Sequence, residues 1–366
     1  MAEERKRYAI ILAGGVGERF WPLSRTTRPK QLLPLGEGGN SLLADAIERL
    51  DTVIPPEDIY VVTGRSLLET IRYSGLTVPR ENVIAEPAKR NTAGALVWAA
   101  AWLLATKGEE ALDASLSVFP ADHQIDSVTA FRADVTRAVE HVEQEGGLMV
   151  MGVPPARPAT GYGYIEIADP LEEGDLILPV SAFHEKPDED TAREYVGSGR
   201  HFWNSGMFFW TISDFLLELE KASPIHFETT GLLVEAIGAD NQLEIQNLFE
   251  QLEDISIDYA LMEKAAAVAM VPASFSWDDL GAWDALMRTL DTDDEGNLTL
   301  GPSILTDTRD CMVLNDEGDR ASVALLGVEG LTVVMTGDAV LVMRSDRAQD
   351  VRKVVEQLKE RGSPHL

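Results

Sequence analysis

Short apolar runs rich in β-branched residues, separated by longer amphipathic stretches, constrain this chain more than any other feature. Residues 8–12, 59–63, 116–119 and 148–152 are apolar runs of strand length, and residues 41–50, 92–105, 130–144 and 190–198 carry helical spacing between or after them. That cadence predicts an α/β fold in which helices flank a mostly parallel sheet. Ligands of such sheets bind at the carboxyl ends of the strands. The cadence changes at residues 291–297, a polar stretch dense in Asp, Gly and Asn that reads as a linker. Beyond it, residues 311–314, 322–326, 331–336 and 339–343 read as short strands, and residues 347–361 as a charged closing helix. The expected division is residues 1–290 as a core and 291–366 as a small β unit with a helical tail. No long repeat or low-complexity segment interrupts this pattern.

Charge narrows the partners. The 366 residues carry a formal net charge of −30. A surface this acidic repels nucleic acid and anionic membranes, so neither is expected as a partner. It also repels nucleotides at long range, so a phosphate site has to be built locally from backbone amides, a few basic residues and a cation. The plain reading of the charge is solubility. The amino terminus has no signal-peptide shape, and the longest apolar run, residues 93–105, is too short to span a bilayer. A soluble, cytoplasmic protein is expected. Cys311 is the single cysteine, which excludes a disulfide framework and reads as a small core residue. The six histidines show no H-x-x-x-H spacing, and a zinc site is not expected.

The first predicted strand runs into Leu12-Ala13-Gly14-Gly15-Val16-Gly17-Glu18-Arg19, continued by Pro22-Leu23-Ser24-Arg25 and Pro29-Lys30-Gln31. Three glycines in four residues let the backbone turn sharply and bring its N–H groups close to phosphate oxygens. Arg19 and Lys30 add charge where a departing pyrophosphate becomes more negative. The spacing is neither the dinucleotide fingerprint nor a Walker A loop, and a bare glycine turn is often only a turn. The third strand ends in Phe119-Pro120-Ala121-Asp122-His123, where a carboxylate can hold a hard cation or cap the next helix. Trp277-Asp278-Asp279-Leu280-Gly281 offers two adjacent carboxylates, of which one can face a metal; a cap suits Asp278. Glu86-Pro87-Ala88-Lys89-Arg90-Asn91-Thr92 leads into an Ala-rich helix, which Asn91 or Thr92 can cap. Gly161-Tyr162-Gly163-Tyr164, His184-Glu185-Lys186-Pro187 and Trp203-Asn204-Ser205-Gly206 are turn-rich segments; Glu185 suits hydroxyl donors and Lys186 suits a phosphate, though Glu-Lys-Pro alone reads as a solvated turn. Ile257-Asp258-Tyr259-Ala260-Leu261 reads as structural, with Asp258 as a cap.

Taken together, these segments resemble the sugar-nucleotide pyrophosphorylases, and the Pro-Leu-Ser-Arg and Pro-Lys-Gln extension is similar to their mannose-1-phosphate guanylyltransferase branch. The resemblance covers nearly the whole chain. It implies a Rossmann-like nucleotidyltransferase core, GTP and mannose 1-phosphate as substrates, Mg²⁺ as cofactor, and a homodimer. It implies that Leu12, Ala13, Gly14, Gly15, Gly17, Arg19, Lys30, Glu86, Asn91, Thr92 and Asp122 bind the nucleotide, and that Asp122 and Asp279 hold the metal. Gly163, Glu185, Lys186 and Asn204 then bind the sugar phosphate, and Arg19, Lys30, Asp122, Lys186 and Asp279 carry the chemistry. Gly94 departs from the branch, which usually has proline there. Three rivals stand beside this reading: a pyrophosphorylase for another sugar or base, a catalytically silent sugar-nucleotide-binding regulator, and a fused isomerase–transferase.

Overall fold

The computed structural model describes residues 5–169 and 174–366. Its two compact units are not sequential. The first draws on Met1–Gly14, Ala46–Ala121 and Ile125–Ser276; the second on Gly15–Asp45, Asp122–Gln124 and Trp277–Leu366. The single cut at residue 291 drawn from the sequence does not match these units. The reason is apolar: Phe20, Trp21, Leu23, Leu33 and Trp283 share one core with Leu298, Met312, Val334 and Val355.

The first unit is built on a nine-stranded mixed sheet: β1 Arg7–Leu12, β2 Ile59–Gly64, β3 Val83–Glu86, β4 Ser115–Pro120, β5 Leu148–Val153, β6 Tyr164–Ile167, β7 Leu178–His184, β8 His201–Thr211 and β9 Val268–Pro272. The spatial order is β3-β2-β1-β4-β8-β5-β9-β7-β6, with β6 also pairing β8. β1 runs parallel to β2 and β4, and β2 to β3, whereas β8 is antiparallel to β4, β5 and β6. The four predicted strands are all present within a residue or two of their expected ends. The helix Asn91–Lys107 explains the apolar run that is too short for a membrane: Ala93, Leu96, Val97, Ala99, Ala100 and Ala101 are fully or nearly buried in the core, where the helix packs on the helix Pro224–Gly238 as well as near the sheet. A helix that is apolar all round belongs in a core. Among the described residues, no helix is long and apolar enough to cross a membrane.

In the second unit, successive strands stack in parallel as turns of a coil. Leu298–Leu300 pairs with Met312–Asn315, which pairs with Leu331–Thr336, while Ser303–Thr306 pairs with Val323–Leu326 on another side. The rungs have unequal lengths, so no fixed period is visible in the sequence. Buried Asn297 and Asn315 satisfy turn carbonyls inside the coil: Asn297 Nδ2 donates to Thr308 O at 3.0 Å, and Asn315 Nδ2 to Pro302 O at 2.9 Å. Cys311 is buried beside them. The closing helix is shorter than predicted, Val351–Glu360, because the residues before it form a 3₁₀ turn kinked at Arg347. Trp283 is fully buried in this core, its ring 4.9 Å from that of Phe20 and its Nε1 donating to Trp21 O at 3.0 Å. Trp283→Ala is expected to destabilise the chain by about 3–5 kcal/mol. Urea denaturation measures this, and an unchanged midpoint would overturn the placement of this ring at the centre of the second core.

Candidate active site

The strand order reverses beside β1. The chain leaves β1 toward β2 and β3 on one side, while β4 lies on the other. Leu12 pairs in register with Pro120, so the glycine turn and Asp122 follow adjacent carboxyl ends at this switch point. Leu12 and Ala13 commit their peptide groups to their neighbours. Ala121 N–H donates to Leu12 O at 3.1 Å, Ala13 N–H to Val62 O at 2.8 Å, and Thr63 Oγ1 to Ala13 O at 2.9 Å. They therefore position the turn, whose Gly14 and Gly15 are exposed.

The second unit gathers four of the charged predictions, Arg19, Lys30, Asp122 and Asp279, around one cavity of about 320 Å³ that Gly17 and His123 also line. Gly17 has φ +74°, and a Cβ there would lie 2.2 Å from Lys30 Cβ. Only glycine lets the lysine stem pass. Lys30 N–H donates to Val16 O at 3.1 Å, and Ser24 Oγ donates to Gly17 O at 2.8 Å. The Lys30 ammonium is buried and donates to Asp122 Oδ2 and to Asp279 O, each at 2.7 Å. Burial alone would push the Asp122 carboxyl up, but the Lys30 charge and hydrogen bond outweigh it and hold the group below the usual carboxylate range. Asp279 folds back so that its Oδ1 accepts from Gly281 N–H at 3.0 Å. Asp278 is not a helix cap. Its Oδ1 accepts from Leu280 N–H at 2.9 Å and its Oδ2 pairs with Arg288 at 3.0 Å, so it braces the turn that presents Asp279.

Arg19 lies at the same cavity. Burial, then the nearby charge of Arg352, lowers its guanidinium from the ordinary range, against Asp279 and Asp284. Its Nε is buried with no hydrogen-bond partner among the described residues. Two further lining residues were not singled out for chemistry in the sequence. His123 Nδ1 accepts from Trp277 Nε1 at 3.0 Å; indole nitrogen only donates, so the ring hydrogen sits on Nε2. Arg352 comes from the closing helix, and no motif marks it. That helix is tied to the glycine turn by a Lys359–Glu18 ion pair, and Arg25 of the extended motif pairs with Asp338 at 2.6 Å. The Ser24-Arg25 portion of the motif is thus a brace for the loop.

The first unit assembles the predicted sugar-phosphate group. A Cβ on Gly163 would lie 2.7 Å from Glu185 Oε2 and 3.6 Å from Asn204 Cβ. Asn204 N–H donates to Gly163 O at 2.9 Å, and Lys186 Nζ pairs with Glu185 Oε1. Lys186 has φ +44°, the left-handed region. The strand β8 bulges after Asn204, with Gly206 at φ +70°, and Gly206 N–H returns to Asn204 Oδ1 at 3.0 Å. Asn204 Nδ2 donates to Asp258 Oδ1 at 2.7 Å. Asp258, expected to be structural, is therefore part of this cluster. Burial pushes its carboxyl up, the Asn204 hydrogen bond pulls part of that back, and Glu185 raises it again. A carboxylate at the start of a helical turn, Asp258–Met262, carries no sequence signal of this role, since Asn204 reaches it only through the fold.

Glu86 ends β3, and a Cβ on Gly14 would lie 3.7 Å from its Oε1. Burial pushes the Glu86 carboxyl from 4.5 up to about 7, with Lys89 countering only in part. Asn91 is exposed, with φ +56°, and its Oδ1 accepts from Thr92 N–H at 2.9 Å. Thr92 Oγ1 accepts from Ile257 N–H at 2.8 Å, which gives this hydroxyl a structural task. Gly94 has a local reason: a Cβ there would lie 2.5 Å from Arg90 Cβ.

Comparison with known proteins is consistent along the chain. The nucleotidyl transferase family model matches residues 8–295, and a mannose-phosphate isomerase/GMP-like β-helix domain model matches residues 301–358. The chain is similar to mannose-1-phosphate guanylyltransferase of Klebsiella pneumoniae, 38% identical over 357 residues, covering 96% of this chain and 74% of that protein. It is 37% identical over 358 residues to the alginate biosynthesis protein AlgA of Pseudomonas putida, covering 96% of this chain and 72% of that protein. A crystal structure described as mannose-1-phosphate geranyltransferase from Thermus thermophilus superposes with a TM-score of 0.84 at 36% identity, covering 97% of this chain and 99% of that one.

Two outcomes follow from the geometry. Glu86 binds a proton in the folded chain that the unfolded chain has released, so its stabilising contribution is present below about pH 4.5 and is lost as pH rises through about 7. Glu86→Gln should then gain stability over the parent by about 1–3 kcal/mol at pH 8, and much less at pH 5. Denaturant titrations at the two pH values test this, and an equal difference at both would contradict it. Arg352→Ala should weaken inorganic pyrophosphate binding about tenfold, or 1.4 kcal/mol, at an unchanged melting temperature. Calorimetric titration decides, and wild-type affinity would remove Arg352 from the anion pocket.

Proposed function

Since the chain belongs to the nucleotidyl transferase family, we propose that this sugar-phosphate nucleotidyltransferase transfers the guanylyl group of GTP to α-D-mannose 1-phosphate, releasing pyrophosphate. The observation that carries the reading is the Lys30 ammonium, buried and fixed between the Asp122 carboxylate and the Asp279 carbonyl at the cavity that Arg19 also lines. An acidic protein with a local concentration of cations on a glycine turn is built to receive a polyanion. The choice of guanine and mannose rests on the resemblance of the motifs and on the names of the relatives.

In this reading the sugar-phosphate oxygen attacks the α-phosphorus in line, with no covalent enzyme intermediate. Lys186 holds the attacking phosphate. Glu185 and Asn204, the latter oriented by Asp258, take the sugar hydroxyls. The amides of the Gly14–Gly17 turn, Arg19 and Lys30 stabilise the leaving pyrophosphate. His123 adds an Nε2–H donor, and Glu86 offers an acceptor to the guanine N–H groups. Asp122 and Asp279 suit Mg²⁺: both present oxygen donors to one cavity, and Mg²⁺ needs only one or two carboxylates because it keeps waters and phosphate oxygens as ligands. When bound, it would neutralise charge between the phosphates. Catalysis in this scheme is positioning and electrostatics.

Pyrophosphate release is measured with purified protein and Mg²⁺, each common nucleoside triphosphate in turn, and mannose 1-phosphate or glucose 1-phosphate. Release is expected only when GTP and mannose 1-phosphate are both present. Lys30→Met keeps the stem beside Gly17 and should lower turnover by about 10² to 10³; Asp122→Asn keeps an acceptor for Lys30 and should do likewise. Release with another pair would overturn the specificity. No release from folded protein that still binds nucleotide would favour the silent regulator instead.

A further inference from the structure

Three strands of the first unit place an unassigned set of ligand atoms on one face. Glu166 on β6 lies directly opposite His201 on β8, and His184 on β7 lies opposite Tyr164, two residues from Glu166. Side chains two apart on a strand share a face, so Glu166, His184 and His201 converge. Each offers one ligand atom, and the three atoms lie within 4.8 Å of one another. Glu166 Oε2 is 3.0 Å from His184 Nε2 and 3.8 Å from His201 Nε2. In a tetrahedral site with bonds of about 2.0–2.1 Å, neighbouring ligand atoms are about 3.4 Å apart. The two measured spacings bracket that value.

Hydrogen bonding fixes which way the lone pairs point. Ser198 Oγ donates its only hydrogen to Tyr195 O at 2.8 Å, so at 2.7 Å from His201 Nδ1 it must accept. The His201 ring hydrogen is therefore on Nδ1, and Nε2 presents a lone pair toward the Glu166 carboxylate. A lone pair facing a carboxylate oxygen repels it unless a proton or a metal cation lies between. His184 Nε2 shares a hydrogen with Glu166 Oε2 at 3.0 Å, and metal binding would displace that hydrogen. Arg200 Nη1 lies 3.4 Å from the other oxygen, Oε1, and leaves Oε2 to the imidazoles. Tyr195 stacks on the His201 ring at 4.0 Å between centroids, with the planes 10° apart, and holds its orientation. His201 is nearly buried, whereas about a third of the His184 side chain is exposed, which leaves an entry path.

We propose that Glu166 Oε2, His184 Nε2 and His201 Nε2 form a binding site for a divalent transition-metal cation of the zinc class. Two imidazoles and one carboxylate suit zinc, cobalt or nickel and disfavour magnesium, which prefers oxygen. The serine on His201 Nδ1 and the arginine on Glu166 Oε1 are the outer contacts that orient such ligands. The site is separate from the carboxylates Asp122 and Asp279. It would tie together β6, which follows Gly163, β7, which runs into Glu185, and β8, which contains Asn204, and so stiffen the sugar-phosphate cluster. The absence of H-x-x-x-H spacing is no obstacle, because each ligand comes from a different strand.

Cobalt(II) is the probe, since nitrogen-ligated cobalt of low coordination absorbs in the visible. The full chain is stripped with chelator and titrated with Co²⁺ in excess Mg²⁺. One equivalent should develop the visible band, and Zn²⁺ should displace it and raise the melting temperature. His184→Gln and Glu166→Gln should each weaken cobalt binding about a hundredfold or more at unchanged circular dichroism, while Asp122→Asn retains the band. No visible band in the parent chain, a band that survives in both ligand variants, or a band lost in Asp122→Asn would each overturn the site.

Discussion

One buried ammonium organises the second unit. Lys30 is held by a carboxylate, Asp122, and a carbonyl, Asp279, that come from distant parts of the chain, and its Nζ lies 5.6 Å from the centre of the Phe20 ring. A buried charge is tolerated only when it is paired, and removing one partner of such a pair typically costs about 3–5 kcal/mol. The glycine turn, the strand end before Asp122 and the Asp278–Gly281 turn are therefore bound to one position through one side chain. Gly17 is the geometric condition for this, because any Cβ there would occupy the space of the lysine stem.

Under the proposed function, an acidic chain has to bind a polyanion, and the surrounding charges bear on how. With a net charge of −30 the long-range field is repulsive. Attraction has to come from groups held at contact distance, where field and desolvation are local. Arg19 has a buried Nε without an acceptor among the described residues, and Arg352 stands near it at the same cavity. Two guanidinium groups side by side repel each other when no anion lies between them. The C-terminal coil contributes one of them through its closing helix, so it belongs to the site as well as to the scaffold.

The first unit solves a different problem, which is to hold two carboxylates, Glu185 and Asp258, close together. The Glu185 charge adds to burial in raising the Asp258 carboxyl, and Asn204 counters in part by donating to Asp258. The bulge at Gly206 lets the Asn204 amide fold over its own strand and keep its orientation. Lys186 pairs with Glu185. Gly163 allows the close approach, since a side chain there would meet the Glu185 carboxylate.

Much of this was legible in the sequence. The alternating strands and helices, the glycine turn with Arg19 and Lys30, and the carboxylates after strand ends are local patterns, and local patterns survive reading in one dimension. They identify residue types and the chemistry those types permit. What only the tertiary structure decided is which of them meet. The core shared by Trp21, Trp283 and Met312 assigned residues 15–45 and 277–290 to the unit of the C-terminal strands, although the linker lies later in the chain. Arg352 carries no motif and Asp258 lies in a segment read as structural; both acquire a role only by proximity. Glu166, His184 and His201 become neighbours through cross-strand register, which depends on pairing and not on sequence spacing. Periodicity and turn chemistry are set by each residue's own backbone, whereas a site is set by long-range packing, and its free energy belongs to no single segment of the chain.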